Sequence, residues 1–434
     1  MRTLCLTGLL WMMTCILYAQ NQLITYTVPS DGVELKDDFT VRVRQSGSGW
    51  KEVVTYPMKV DEVRQTKHHV ELASMGYFDF SGQVEVSVTY NKGEVKSGRV
   101  RPLSYGITPQ ISGSTMTFTL DRPRNLSIEV NGDIFHNLHL FANPIDENRP
   151  KKLKDKNLIY FAPGIHQLPG DTLNVPSGKT VYVAGGAIVR GCIRAVNARD
   201  VKILGRGEVH PEGRGAGISI INSRNIYVEG LITTQCPTGG SDSVTNPQCK
   251  GCGSSYGWGD GMNVFASNNV LFDGVFCRNS DDCTTVYATR MGFHGGCRNV
   301  TMQNSTLWAD VAHPIFIGLH GDVDRNEVME NLTYRNIDIL DHREMQVDYQ
   351  GCLAINAGDN NLVRNVRFEN IRIENFRQGQ LVNLRIFYNK KYCKAPGRGI
   401  ENVLFKDITY NGDHAEFSHI VGYDEERMVK NIRF

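Results

Sequence analysis

The chain has 434 residues, with 47 Lys and Arg against 46 Asp and Glu, 41% hydrophobic residues and 21% charged ones. Charges that nearly cancel supply no global field to recruit nucleic acid or an anionic membrane, and the composition is that of a globular protein with ample core, not of a disordered chain. The length divides naively into about three domains, although repetitive β folds absorb a longer chain into one unit.

Arg2, an apolar stretch from Leu4 to Leu17 and the small Ala19 read as a secretory signal peptide over residues 1–19. The stretch is short for a membrane span, and no later segment approaches about 18 uninterrupted apolar residues. Cys15, after Met13 and Thr14, makes a poor lipoprotein box, so lipid anchoring is a minor alternative. The expected product is a soluble protein, secreted or periplasmic, in an oxidising compartment. Setting aside Cys5 and Cys15 leaves nine of the 11 cysteines, and Cys236, Cys249 and Cys252 crowd one Gly/Ser-rich insertion where a loop disulfide is expected. Cys249 and Cys252 form a C-x-x-C without a second ligand pair nearby, which argues against zinc.

Residues 20–145 read as a small N-terminal β-sandwich. Alternating runs such as FTVRVRQ, QVEVSVTY and STMTFTL are separated by the polar turns NKGE and ISGS. The run LSIEVNGDIFHNLHLFANP (126–144) and the charged DENRPKKLKDK after it mark the domain boundary. No catalytic cluster stands out in this module; its expected work is to pack against the second domain or to shape one side of a cleft.

From about residue 157 onward the sequence repeats. An Asn followed by an aliphatic, any residue and an aromatic or aliphatic recurs at Asn225, Asn269, Asn299, Asn331, Asn365, Asn402 and Asn431, with gaps of 44, 30, 32, 34, 37 and 29 residues. Each unit holds short β-type runs and no amphipathic helix, which predicts an all-β, right-handed parallel β-helix over 146–434 whose coils bury their apolar faces by stacking. The Asn residues are expected to form a turn ladder between coils. The largest gap holds the cysteine-rich insertion, and long insertions in such a fold project from one side and wall a groove.

Aligning the runs GDGMNVF, DDCTTVY, HPIFIGL and GCLAINA places Val264, Val286, Ile317 and Ile355 in one position. Four residues upstream of each stand Asp260, Asp282, His313 and Gly351, so the first three should form a column at the coil spacing of about 4.8 Å, with Asp281 beside it. Neighbours on a regular strand face opposite ways, so Asp281 and Asp282 can share a face only at a bulge or turn. Carboxylates crowded on one face suit glycosidic hydrolysis, in which one acid protonates the leaving oxygen and another carboxylate activates water. A D-D pair taken alone reads equally as a turn or a calcium ligand; the register with Asp260 and His313 favours catalysis.

GDG, the N-x-D-D of Asn279, Asp281 and Asp282, and H-P-I-F-I-G from His313 to Gly318 resemble the polygalacturonase-type β-helix hydrolases of glycoside hydrolase family 28. The whole chain more closely resembles the dextranase and isopullulanase family, glycoside hydrolase family 49, in which a β-sandwich precedes the β-helix. The resemblance covers most of residues 22–434, with its strong motifs between 258 and 320. It implies Asp281 as general acid, Asp260 and Asp282 as the residues that hold and deprotonate water, and inversion, for which the carboxyls should stand about 6.5–9.5 Å apart. Polygalacturonases carry an Arg-x-Lys on the next coil for the uronate carboxylate. Here the corresponding GCLAINAGDN has neither residue, which favours a neutral, α-glucan-like polysaccharide over pectin.

Around the triad, Trp258, Tyr287 and Trp308 are candidates to stack on sugar rings, Trp258 foremost. His313, His320 and Asn279 are candidates to bind substrate or orient a carboxylate. The expected partner is a polysaccharide or oligosaccharide acted on by a monomer, with no cofactor, metal or nucleic acid. Two other readings compete: a polysaccharide lyase, which would need a basic proton abstractor and release unsaturated uronates, and a non-catalytic glycan-binding β-helix, whose binding would survive loss of all three aspartates.

Overall fold

The computed structural model describes residues 21–26, 33–64, 67–211, 215–234 and 259–434. The expected signal peptide, Trp258 and the cysteines Cys236, Cys249 and Cys252 lie outside the described residues. Among the described residues there is no α-helix, and only Leu103–Tyr105 and Val347–Tyr349 form single 3-10 turns.

The first unit is a β-sandwich. One sheet has six strands, Lys67–Ser81 and Leu138–Pro144 at its centre, and the other five, Phe39–Arg44 and Val84–Tyr90 among them. The strands pair antiparallel except Leu138–Pro144, which runs parallel to Lys67–Ser81. Alternation in FTVRVR and VEVSVTY puts Val41, Val43, Val86 and Val88 between the sheets, where they meet Phe78, Phe80, Leu126 and Leu138. The six-stranded sheet is covered on its other face too. Tyr56, Met58, Val60, Met75, Tyr77 and Phe141 pack against Ile232 and Phe276 of the second unit. Burial on both faces explains why the run up to Pro144 reads as nearly continuous apolar sequence where a one-sided strand would alternate.

The second unit is a 22-stranded parallel sheet wound into a β-helix, running from Leu158–Phe161 to Val429–Arg433. Its interior is one continuous apolar cluster from Leu168 to Phe405. The aromatic position of the repeat stacks coil on coil, with ring centroids 5.6 Å apart for Tyr334 and Phe368 and 5.1 Å for Phe368 and Phe405. The asparagine ladder is present as expected: each amide donates to the Asn carbonyl oxygen of the preceding coil at 2.9–3.2 Å, from Asn269 to Asn431. These residues are left-handed, with φ near +55°, a conformation Asn tolerates better than most residues. A second, shorter ladder, Asn304–Asn336–Asn370, had no counterpart in the sequence reading. The six described cysteines, Cys192, Cys277, Cys283, Cys297, Cys352 and Cys393, are buried free thiols.

Candidate active site

The strand register is the one read from the sequence. Val264 pairs with Val286, Val286 with Ile317 and Ile317 with Ile355 on successive coils. At the entrance to these strands the Gly261 N–H donates to the Asp282 carbonyl at 2.9 Å, and the Cys283 N–H to the His313 carbonyl at 2.8 Å. Asp260, Asp282 and His313 therefore stand on three consecutive coils. Asp281 and Asp282 lie between the strands Phe276–Asn279 and Thr284–Tyr287, in a bend that frees both side chains from strand alternation. The glycine after Asp260 is required by this stacking: a Cβ on Gly261 would meet the Cys283 carbonyl at 2.4 Å and Asn279 Oδ1 at 2.7 Å.

One oxygen from each of Asp260, Asp281 and Asp282 lies within 4.8 Å of the others. Burial, and then the charges of Asp260 and Asp282, raise Asp281 well above the ordinary carboxylate range. Opposing this, the Asp282 N–H donates to Asp281 Oδ1 at 3.0 Å. Asp282, 3% exposed, is differently placed. It accepts from the backbone N–H and Nδ1 of His313 at 3.1 and 2.7 Å, and from the Tyr287 hydroxyl at 3.3 Å. Asp260 accepts from Asn263 Nδ2 at 2.7 Å, and the Asn263 oxygen is in turn held by the Thr285 hydroxyl at 2.6 Å. Two carboxylates are thus fixed by donors, and the third is pushed towards its protonated form.

His313 is fully buried, with Nδ1 on the Asp282 carboxylate and Nε2 on the Tyr349 carbonyl. Burial alone would depress its pKa, but the charge and hydrogen bond of Asp282 raise it above the usual histidine value. Both ring nitrogens face acceptors, so the imidazolium is the form that satisfies both. A divalent cation would also accept carboxylates at this spacing. Three of the lone pairs of Asp282 are already directed at His313 and Tyr287.

The triad opens into a cleft of about 890 Å³. Tyr287 forms part of its floor, stacked on Phe265 with centroids 5.4 Å apart. His320 stands edge-on to Tyr287 at 4.9 Å, and burial together with Arg290 lowers it to about 3, so it is neutral. Met345, Tyr349 and Tyr392 also line the cleft, as do Arg194, Arg290, Arg343 and Lys391.

A model of the glycosyl hydrolases family 28 matches residues 216–428, which spans the triad and the coils that carry it. Over these coils, just under half of the chain, the match is to a glycoside hydrolase of the family 28 type. Among solved structures the hydrolase is similar to Dex49A from Penicillium minioluteum, at 12% identity and a TM-score of 0.47, over 89% of this chain and 91% of that one. It is also similar to the family 28 exopolygalacturonase of Yersinia enterocolitica, at 10% identity and a TM-score of 0.39, over 81% of this chain and 96% of that one. The polygalacturonase of Erwinia carotovora ssp. carotovora aligns at 13% identity and a TM-score of 0.35, over 69% and 91% of the two chains. No curated protein sequence matches the chain.

The sequence candidates divide in this hydrolase. Asp260, Asp281, Asp282, Tyr287 and His320 line the cleft. His313 and Asn279 do not. His313 lies beneath Asp282, and Asn279, 1% exposed, accepts from the Thr233 hydroxyl at 3.4 Å. Trp308 is no sugar platform: it is fully buried, its ring 4.0 Å from the Arg278 guanidinium. The nearest carboxylate oxygens also stand closer than the separation expected for inversion, because two aspartates share one bend and the third is a single coil away.

Asn263, Glu344 and the four cleft cations were not among the sequence candidates. Asn263 lies within an aligned run and could have been found from its place three residues after Asp260. Glu344, 7% exposed, adds to the field raising both Asp281 and His313, and its Oε1 accepts from the Gln346 N–H at 2.8 Å. It follows the strand Val328–Asp341 in a stretch with no repeat phrase, so nothing in the sequence gave its register.

Proposed function

We propose that this hydrolase cleaves a polysaccharide by single displacement with inversion, Asp281 donating a proton to the leaving oxygen while Asp260 and Asp282 hold and deprotonate the attacking water. One observation carries the reading: three carboxylates within 4.8 Å at a cleft floor, of which Asp281 is the one that burial and the other two push towards its protonated form. The short carboxyl spacing alone lies nearer the about 5–5.5 Å of retaining enzymes. Inversion is favoured because Asp282 is held by three donors and Asp260 by Asn263, which suits fixing a water better than swinging onto an anomeric carbon.

A neutral, α-glucan-like substrate is supported by the strand Leu353–Ala357, which follows the His313 coil and carries no cation. Arg194, Arg290, Arg343 and Lys391 on the cleft wall support a second reading, a polysaccharide bearing carboxylate or sulfate groups. Tyr287 and His320 are the proposed sugar contacts. Export through the apolar N-terminal segment and action as a monomer complete the proposal.

Reducing-end release across neutral and anionic polysaccharides, with Asp281→Asn as control, tests the reaction; undiminished activity in that variant overturns it. The first-formed anomer, read by proton NMR, decides inversion against retention. Arg290→Ala with Lys391→Ala separates the substrates. Each charge-assisted contact is worth about 1.5–3 kcal/mol, so KM for an anionic glycan rises by roughly tenfold or more, whereas KM for a neutral one stays put.

A further inference from the structure

We propose that the N-terminal sandwich positions the catalytic bend, acting through Arg278, with Asn137 and His139 as the positioning residues. The proposal rests on the assignment of Asp281 as the acid. Along the strand Phe276–Asn279, Cys277 points into the β-helix core, whereas Phe276 and Arg278 point outward at the sandwich. Arg278 is 1% exposed and stands three residues before Asp281. Its Nη1 donates to Asn137 Oδ1 at 3.1 Å and to His139 Nε2 at 2.8 Å, and its Nη2 donates to the Ile134 carbonyl at 3.0 Å.

The β-helix contributes one carboxylate, Asp310, at 3.2 Å from Nε and Nη2. That carboxylate also accepts the Asp61 N–H of the sandwich at 3.0 Å. The Asp310 backbone N–H donates to the Asn279 carbonyl at 2.9 Å, so the same residue ties down the end of the strand before the bend. Asn137, His139 and Trp308 are fully buried, and the Trp308 ring lies 4.0 Å from the guanidinium. A buried guanidinium needs nearly all its donors satisfied. Here three of its acceptors belong to the sandwich, so that domain fixes where the strand ends and where the two aspartates begin.

This goes beyond domain packing, because catalysis feels small displacements: a shift of about 1 Å can cost about a hundredfold in rate. His139→Phe keeps the ring between Phe276 and Trp308 while deleting the acceptor for Arg278, and Asn137→Ala serves as a second variant. Tyr105→Phe is the control for a weakened interface, since it removes a 2.7 Å bond to Asp338 at another part of the interface. The assay is steady-state hydrolysis by the full chain, on a polysaccharide and on an aryl glycoside with an acidic phenol that leaves without protonation.

The expected result is a fall in kcat of about tenfold or more on the polysaccharide for His139→Phe and Asn137→Ala, with KM within about twofold. A smaller loss is expected on the activated glycoside, and Tyr105→Phe should match the parent. If the folded clamp variants match the parent, or if Tyr105→Phe loses as much kcat as they do, the proposal is overturned. Should His139→Phe fail to fold, Asn137→Ala alone decides. Parental activity in Asp281→Asn would instead remove the assignment of the acid, an outcome distinct from either.

Discussion

Asp281→Asn separates what the acid does for the reaction from what it costs the fold. The substitution keeps size and removes the proton, so turnover of a polysaccharide should fall about 10²–10⁴-fold. An aryl glycoside with a low-pKa phenol needs little protonation and should lose much less. Stability should move the other way. At an effective dielectric of about 20, two charges 4.8 Å apart repel by roughly 3 kcal/mol, and an ionised Asp281 would face two such neighbours. Holding the proton avoids this, and that is the direction in which burial and the two neighbouring charges push Asp281. Above about pH 3.9 the unfolded chain ionises freely while the folded one does not, so the parent loses stability as pH rises towards the folded pKa and stays lower beyond it. The amide carries no such penalty. Its Tm should equal the parent's in strong acid and exceed it at neutral pH, by about 1 °C per kcal/mol for 434 residues. Calorimetry between pH 4 and 8 checks this. Equal Tm values throughout would refute the claim that crowding keeps Asp281 protonated, and full turnover would refute its role as acid.

Other consequences follow from the same geometry. His313→Gln removes the imidazolium behind Asp282, and kcat should drop roughly tenfold or more with KM little changed. Because His313 is raised in the folded state, its stabilisation is complete below about pH 6.5 and is lost as pH rises through the folded value; the stability gap between parent and variant should close over that window in denaturant titrations. Glu344→Gln takes away a charge that raises Asp281, so the alkaline limb of the pH–rate profile should move to lower pH; an unmoved limb would show that the Glu344 charge does not reach the acid. Asn331→Ala breaks two ladder bonds and leaves alanine at a φ of 57°, which should cost about 2–3 kcal/mol in urea unfolding while the kinetics of the folded variant stay parental. Exhaustive treatment with a chelator should leave the rate unchanged, since no step above uses a cation.

The sequence by itself determined the repeat, and through it the fold and the register. An Asn in the left-handed conformation, followed by an inward aliphatic and a stacking aromatic, constrains every coil in the same way, so the alignment of Val264, Val286, Ile317 and Ile355 could be read without coordinates. That register brought Asp260, Asp282 and His313 together from positions up to 53 residues apart. It also made a turn at Asp281 necessary, because two adjacent residues on a strand cannot share a face.

Only the tertiary structure decided what lay off the repeat. Glu344 and the cleft cations come from segments with no phrase to set their register. Outward-facing residues of a β-helix look alike in sequence whether solvent or another domain covers them, so Arg278 and Trp308 gave no sign that the sandwich buries them. The split among candidates has the same cause: sequence distance placed His313 and Asn279 near the triad, but which side of a strand meets the cleft depends on how each coil bends at its corner. A periodic sequence specifies the stack of coils, and the corners and the domain packed against them specify the chemistry.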